Sequence, residues 1–148
     1  MSQTTIVRRP LLAADLNNKN VTRVDVREIV FEPGQETGLH KHPCPVFGYI
    51  AEGEAVLEVQ GEPARRLPTG SAFYEPAGKV IARFDNASPR EKMRFICYYL
   101  LDGKQELIEM LPPTSEEREH ASSPISGVQS LTRTCYSAGP SQLFGVAR

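Results

Sequence analysis

The sequence predicts an all-β fold of the sandwich or barrel type, and two observations support it. Glycine and proline recur at short intervals between residues 33 and 78, where they separate short runs rich in Val, Ile, Phe and Tyr. The run from Glu54 to Val59 also places Ala, Leu and Val on one face and two glutamates on the other. This alternation is typical of a strand with one buried face.

Seven strands follow from these runs, at residues 23–31, 38–42, 46–51, 55–60, 71–74, 80–84 and 94–101. Residues 95–101 are apolar on both faces, which indicates a strand covered on both sides, inside the fold or against a partner subunit. Residues 105–111 are expected to form a short helical turn, which Pro112 and Pro113 would end.

The chain has 148 residues, the length of one domain with a substantial core. We expect an N-terminal arm at residues 1–20, a barrel at 21–112 and a C-terminal tail at 113–148. Within the tail, 16 of 36 residues are Ser, Thr, Gly or Pro, and no periodic apolar pattern continues there. This composition predicts a flexible or loosely docked segment.

Composition argues against several partners and locations. The formal net charge is −1, with Lys and Arg spread along the chain, so neither nucleic acid nor a membrane surface is an expected partner. The longest apolar run is far too short to span a membrane, and no signal sequence is readable at the N-terminus. Three widely spaced cysteines do not suggest a disulfide framework. We therefore expect a cytoplasmic protein.

Two of the three histidines form a His-x-His motif, His40 and His42, in a predicted strand. Residues two apart on a strand point to the same face, so both imidazoles can reach one point in space. Imidazole is the commonest metal ligand among side chains, although the same pair could also be two buried, hydrogen-bonded histidines.

Three segments extend this motif into a longer pattern. They read PGQETGLHKHP at residues 33–43, GYIAEGE at 48–54 and GSAFYEPAG at 70–78, and Asn86 follows the last. The first two resemble the first motif of the cupin superfamily, and the third resembles the start of its second motif. The resemblance covers roughly residues 23–112 and implies a double-stranded β-helix, the jelly-roll barrel, with a small molecule bound in its mouth.

The resemblance also implies a set of metal ligands, two His and a Glu or Gln from the first motif and one His from the second. His40 and His42 match the first two, but Val46 and Ile81 stand at the other two positions. Neither hydrocarbon side chain has a lone pair to donate. We therefore expect no metal, or a weakly held divalent ion such as Zn, Ni or Fe. Further ligand candidates are Cys44, Glu75 and Asp85.

The residues assigned to ligand binding are His40, His42, Val46, Ile81 and Arg83. If Ile81 faces the interior, alternation would put Arg83 on the same face, where its guanidinium would suit a carboxylate or enolate. The alternative is that Val80, Ala82 and Phe84 form the core face, which would leave Arg83 and Asp85 as a solvated pair.

Three functions remain open from the sequence. The first is a small-molecule-binding cupin with a degraded metal site. The second is a metal-dependent enzyme, a dioxygenase or isomerase, that uses His40 and His42. The third is a non-catalytic barrel that dimerises. A homodimer is expected, because a small barrel has edge strands that need cover and residues 95–101 are apolar on both faces, and the cupin resemblance implies the same.

The composition of the tail leads to a first prediction. Deletion of residues 114–148 should leave the melting temperature nearly unchanged, because the tail has no apolar pattern with which to pack on the barrel. Differential scanning calorimetry of the full and truncated chains measures this. A loss of many degrees would show that the tail contributes to the folded core.

Overall fold

The chain folds into a barrel of two antiparallel sheets. The computed structural model describes residues 5–113. The strands are β1 (Arg23–Phe31), β2 (His40–Lys41), β3 (Val46–Glu52), β4 (Glu54–Val59), β5 (Arg65–Pro68), β6 (Ala72–Glu75), β7 (Val80–Asn86), β8 (Met93–Leu101) and β9 (Glu109–Met110). Over this described range, no helix has the length and hydrophobicity needed to cross a membrane.

One sheet has the strand order β1-β8-β3-β6, and the other has the order β5-β4-β7-β2-β9. Successive strands alternate between the two sheets, except for the β4–β5 hairpin. This alternation is the connectivity of a double-stranded β-helix, and it confirms the all-β jelly-roll fold class.

The seven predicted strands are all present, with boundaries within two residues of those expected. Strand β5, in which only Leu67 is buried, was not expected from the sequence. The helical turn expected at residues 105–111 is wrong, because Glu109–Met110 pairs with β2 as a strand. That pairing joins residues 68 and 70 positions apart in the chain, so a local pattern could not indicate it. The tail expected to begin at residue 113 lies, from residue 114 onward, outside the described residues.

Alternate residues of the strands point inward and form one core. The burial of β4 alternates as predicted, with Ala55, Leu57 and Val59 inside. The largest fully buried apolar side chains are Ile50, Leu57, Phe73, Ile81, Met93 and Leu101. Such an alternating pattern places one face of each sheet against the other and leaves the opposite faces to solvent.

The apolar strand β8 lies inside its sheet, between β1 and β3. Its inward residues are buried against the second sheet, but its outward residues are partly or fully exposed. Tyr98 is 41% exposed, and its neighbour Val26 on β1 is 56% exposed. The second sheet therefore covers only one of its two apolar faces.

One glycine of the sheet packs directly against an aromatic ring on the neighbouring strand. Gly48 on β3 lies opposite Phe73 on β6, and the phenyl ring lies over the glycine. A Cβ atom at position 48 would approach the ring to 2.0 Å, a distance that van der Waals contact does not allow. The position of Phe73 thus depends on the absence of a side chain at position 48.

Replacement of this glycine gives a second prediction. Gly48→Ala should lower the free energy of unfolding by about 1–3 kcal/mol, because the ring must leave its place in a packed core. The cost should be smaller when Phe73→Leu is already present, because leucine has no ring over position 48. Chemical denaturation of the four proteins of this double-mutant cycle measures both values. An equal cost in both backgrounds would show that the ring contact is not the cause.

Candidate functional site

The barrel contains a cavity of about 240 Å³ between its two sheets. The side chains that line it are Ile29, Phe31, Thr37, His40, His42, Phe73, Glu75, Phe84, Phe95, Cys97, Tyr99 and Ile108. Nine of them are buried, and the partly exposed Ile29, Thr37 and Ile108 mark where the cavity meets the surface. A concave, mostly apolar pocket with a few convergent polar groups is the usual form of a ligand site.

His40, at the start of β2, is held by the backbone beside it. Its Nδ1 lies 2.7 Å from the carbonyl oxygen of Gly38. A carbonyl only accepts, so Nδ1 carries the proton and Nε2 keeps the lone pair of the neutral ring. Burial lowers the pKa of His40 and favours this neutral form.

His42 is held at both ring nitrogens. Its Nδ1 donates to the carbonyl oxygen of Leu107 at 2.5 Å, and its Nε2 lies 2.9 Å from Oε2 of Glu75. Burial alone would lower the pKa of His42, but the hydrogen bond and charge of Glu75, with the Leu107 carbonyl, outweigh burial and raise it. The two imidazoles lie edge to face, with centroids 5.1 Å apart.

Glu75 reaches this site from the opposite sheet. In β6 the buried positions are Phe73 and Glu75, so the carboxylate points inward with the ring. The turn that follows β6 is tied to the histidine, because the Gly78 amide donates to the carbonyl oxygen of His42 at 2.8 Å. The end of β6 is thereby brought to the polar end of the cavity.

His40, His42 and Glu75 form a group suited to a metal ion. One ligand atom from each lies within 4.8 Å of the others, and all three residues are buried. Two imidazoles and a carboxylate are the donors that Zn, Fe and related divalent ions take in three-ligand sites. Within residues 5–113, the other sequence candidates, Cys44 and Asp85, lie outside this group.

Val46 and Ile81, the hydrocarbon residues at family ligand positions, are fully buried beside this group. Val46 pairs with Glu75 across β3 and β6, and Ile81 pairs with His40 across β7 and β2. Neither lines the cavity. Paired residues on neighbouring strands share a face, so Glu75 presents its carboxylate next to the position where the family pattern has its acid.

Arg83 does not lie on the inner face, contrary to the expectation that it shares the face of Ile81. A bulge interrupts the pairing of β7 with β4: Glu58 pairs with Arg83, but the next residue, Val59, pairs with Ile81. The extra residue breaks the alternation and turns Arg83 outward. Its half-exposed side chain binds Asp85 at 2.7 Å, which is the pairing of the alternative interpretation, although Asp85 itself is buried.

Several cavity residues were not assigned from the sequence. Tyr99 and Cys97 project from β8 beside the polar end, and burial raises the pKa of both, so each stays protonated near neutral pH. Glu75 appeared only as one of several ligand candidates. The only feature of the local sequence that could have indicated Glu75 is an acidic residue at an inward position of a strand. The register that places its carboxylate beside His42 comes from pairing between strands far apart in the chain.

Comparison with known proteins identifies the family. A profile of the cupin domain matches residues 27–106, more than half of the chain. The chain belongs to the cupin family. None of the curated proteins matches this cupin in sequence.

Solved cupin structures share the barrel. A cupin-like protein from Thermotoga maritima is 29% identical, with 66% of this chain and 72% of that chain covered and a TM-score of 0.53. The DMSP lyase DddQ from Ruegeria pomeroyi is 20% identical, with 59% and 42% covered and a TM-score of 0.52. The oxalate decarboxylase OxdC from Bacillus subtilis, a protein with Mn(II) centres, is 19% identical, with 66% and 28% covered and a TM-score of 0.52. This cupin matches less than half the length of the lyase and of the decarboxylase, and at these identities the likeness concerns the fold alone.

Proposed function

We propose that this cupin is a metal-dependent enzyme that acts on a small molecule in the barrel cavity, with a divalent ion held by His40, His42 and Glu75. The observation that carries the proposal is the anchoring of both imidazoles. Each Nδ1 donates to a backbone carbonyl, which leaves Nε2 as the ring nitrogen available to a metal ion, and both histidines lie in one buried group with the Glu75 carboxylate. Metal-binding histidines in proteins are oriented by this kind of hydrogen bond from the other ring nitrogen.

The ligand count favours catalysis over a structural role. Three protein ligands leave coordination positions for water or substrate, whereas structural sites are closed by four. A bound divalent ion would act as a Lewis acid toward an oxygen of the substrate. Tyr99, whose ring centroid lies 5.8 Å from that of His42, stays protonated because burial raises its pKa, so its hydroxyl can donate a hydrogen bond.

A second candidate is a small-molecule-binding cupin without metal, and one distance favours it. The His42 Nε2 and Glu75 Oε2 atoms are in direct contact at 2.9 Å, as in a hydrogen-bonded ion pair that satisfies both groups. In that arrangement a proton lies between His42 Nε2 and Glu75 Oε2, where a metal ion would otherwise bind. A metal titration separates the two candidates.

The third prediction concerns metal binding. Protein made without a histidine tag and stripped with chelator should bind one Zn²⁺ or Ni²⁺ per chain in a competitive titration. Glu75→Gln should weaken binding by about 100-fold or more, because an amide is a poorer donor than a carboxylate and carries no charge. Glu62→Gln, at an exposed turn position, is the matched control and should bind as the wild type does.

Two results would contradict the metal proposal. One is a wild-type protein that binds no ion at millimolar concentration, which would favour the metal-free candidate. The other is equal affinity of the wild type and Glu75→Gln, which would place the ion elsewhere. Circular dichroism of each variant shows whether the barrel is intact, and glutamine retains an oxygen that accepts from His42.

We also propose that this cupin is a homodimer that pairs the outer face of the β1-β8-β3-β6 sheet with a second copy. Residues on this face that are exposed and apolar are Val24, Val26, Val30, Tyr49 and Tyr98. Side chains from neighbouring strands make the patch continuous, since Val26 pairs with Tyr98 and Tyr98 with Phe47. An exposed apolar patch on a four-stranded sheet is typical of an interface, and the same patch on a second copy matches it in chemistry.

The dimer gives the fourth prediction. Val26→Lys should shift the protein toward monomer at micromolar concentration, because two lysines related by symmetry would be buried without partners. Sedimentation velocity measures the shift. Val56→Lys, on the outer face of the other sheet, is the control and should leave the dimer intact. A wild-type monomer at this concentration would overturn the proposal.

A further inference from the structure

The walls of the cavity are divided into an aromatic part and a polar end. Phe31, Phe73, Phe84 and Phe95 form the aromatic part. Phe95 lies 5.2 Å from Phe31, 6.3 Å from Phe73 and 4.9 Å from Phe84, measured between ring centroids. Edge and tilted contacts at these distances hold the rings against each other, so the wall is already formed before a ligand enters.

The polar end carries no free cation. Among the cavity-lining residues of the described range, none is lysine or arginine, and Arg83 lies outside with Asp85. The acidic group Glu75 is already bound to His42. A carboxylate that entered the protein would lose its hydration beside Glu75 and gain no opposite charge in return. The cavity therefore disfavours anions unless a metal ion is present.

The volume sets the size of the ligand. An apolar protein cavity of about 150 Å³ stays dry and binds benzene, which corresponds to about 25 Å³ for each of its six carbons. By the same scale, the 240 Å³ here would hold about ten non-hydrogen atoms. That is one six-membered ring with a short substituent.

We propose that the substrate class is a largely apolar molecule of about ten non-hydrogen atoms, with its ring against the four phenylalanines and one polar group toward His40, His42 and Glu75, and that the metal-free cavity accepts only molecules in which this group is uncharged. The orientation of the polar atom rests on the proposed metal function. Binding of the apolar part of the molecule does not rest on the metal function, because it depends only on the four phenylalanines.

Matched probes on one ring framework test the two parts separately. Toluene, benzyl alcohol, benzoate and benzylammonium are titrated calorimetrically into chelator-treated protein. Toluene and benzyl alcohol should bind one per chain, and benzoate should bind at least about 100-fold more weakly, because its carboxylate must be desolvated without a partner. With Zn²⁺ added, benzoate and benzyl alcohol should bind more tightly and toluene should not change.

A variant at the mouth checks that binding occurs in this cavity. Ile108→Trp should weaken toluene binding by about tenfold or more, because the indole would fill the entrance. Ile108 is 40% exposed, so the larger side chain is compatible with folding. Val56→Trp is the matched control, a partly exposed apolar position on the outer face of β4 that does not line the cavity, and it should bind toluene normally.

The outcomes distinguish this inference from the metal proposal. If Zn²⁺ binds but toluene does not, the substrate class is wrong and the metal site stands. If toluene binds but no metal does, the apolar ligand class stands and the metal function is wrong. Benzoate or benzylammonium that binds the metal-free protein as tightly as toluene would overturn the inference, as would an Ile108→Trp protein with unchanged toluene affinity.

Discussion

The structure depends on one buried contact between its two sheets, the pair formed by His42 and Glu75. Glu75 ends β6 of one sheet, and His42 follows β2 of the other. Both side chains are about 95% buried, and an ionisable group so far from water is stable only with a partner of good geometry. The His42 imidazole has a partner at each ring nitrogen, Glu75 at one and the carbonyl oxygen of Leu107 at the other. The segment before β9 is thereby tied to the centre of the barrel.

The cavity beside this contact is lined by two main kinds of side chain. Ionisable or hydroxylic residues accompany His42 and Glu75, and phenylalanine rings packed edge to face form the rest of the wall. A cavity persists between them because the barrel backbone fixes the distance between the sheets and the rings already contact one another, so neither wall can collapse inward. The resulting site can bind the apolar part of a ligand and contact one polar atom of that ligand. The first contact supplies affinity, and the second fixes the orientation of the ligand.

The acidic residue of the site illustrates how a family arrangement can change without loss of its chemistry. Val46 occupies the position at which the family pattern carries an acid, and Glu75 is its partner on the adjacent strand. Cross-strand partners lie side by side on one face, so an acid on β6 can face the same space as an acid on β3. No such exchange is visible at Ile81, whose partners are His40, already a member of the group, and the hydrocarbon Val59. The site therefore has three candidate ligands where the family pattern has four.

The sequence by itself determined the elements of the barrel and part of its site. Strand positions followed from turn residues and alternation, which are local properties, and the His-x-His spacing was enough to put His40 and His42 on one face. Only the tertiary structure determined which residues His40 and His42 contact. The register of β6 against β3 aimed Glu75 at His42, pairing with β2 made a strand of Glu109–Met110, and a bulge in β7 turned Arg83 outward. Register and bulges arise from hydrogen bonds between strands far apart in the chain, so their effect on each side chain appears only when the sheets are assembled.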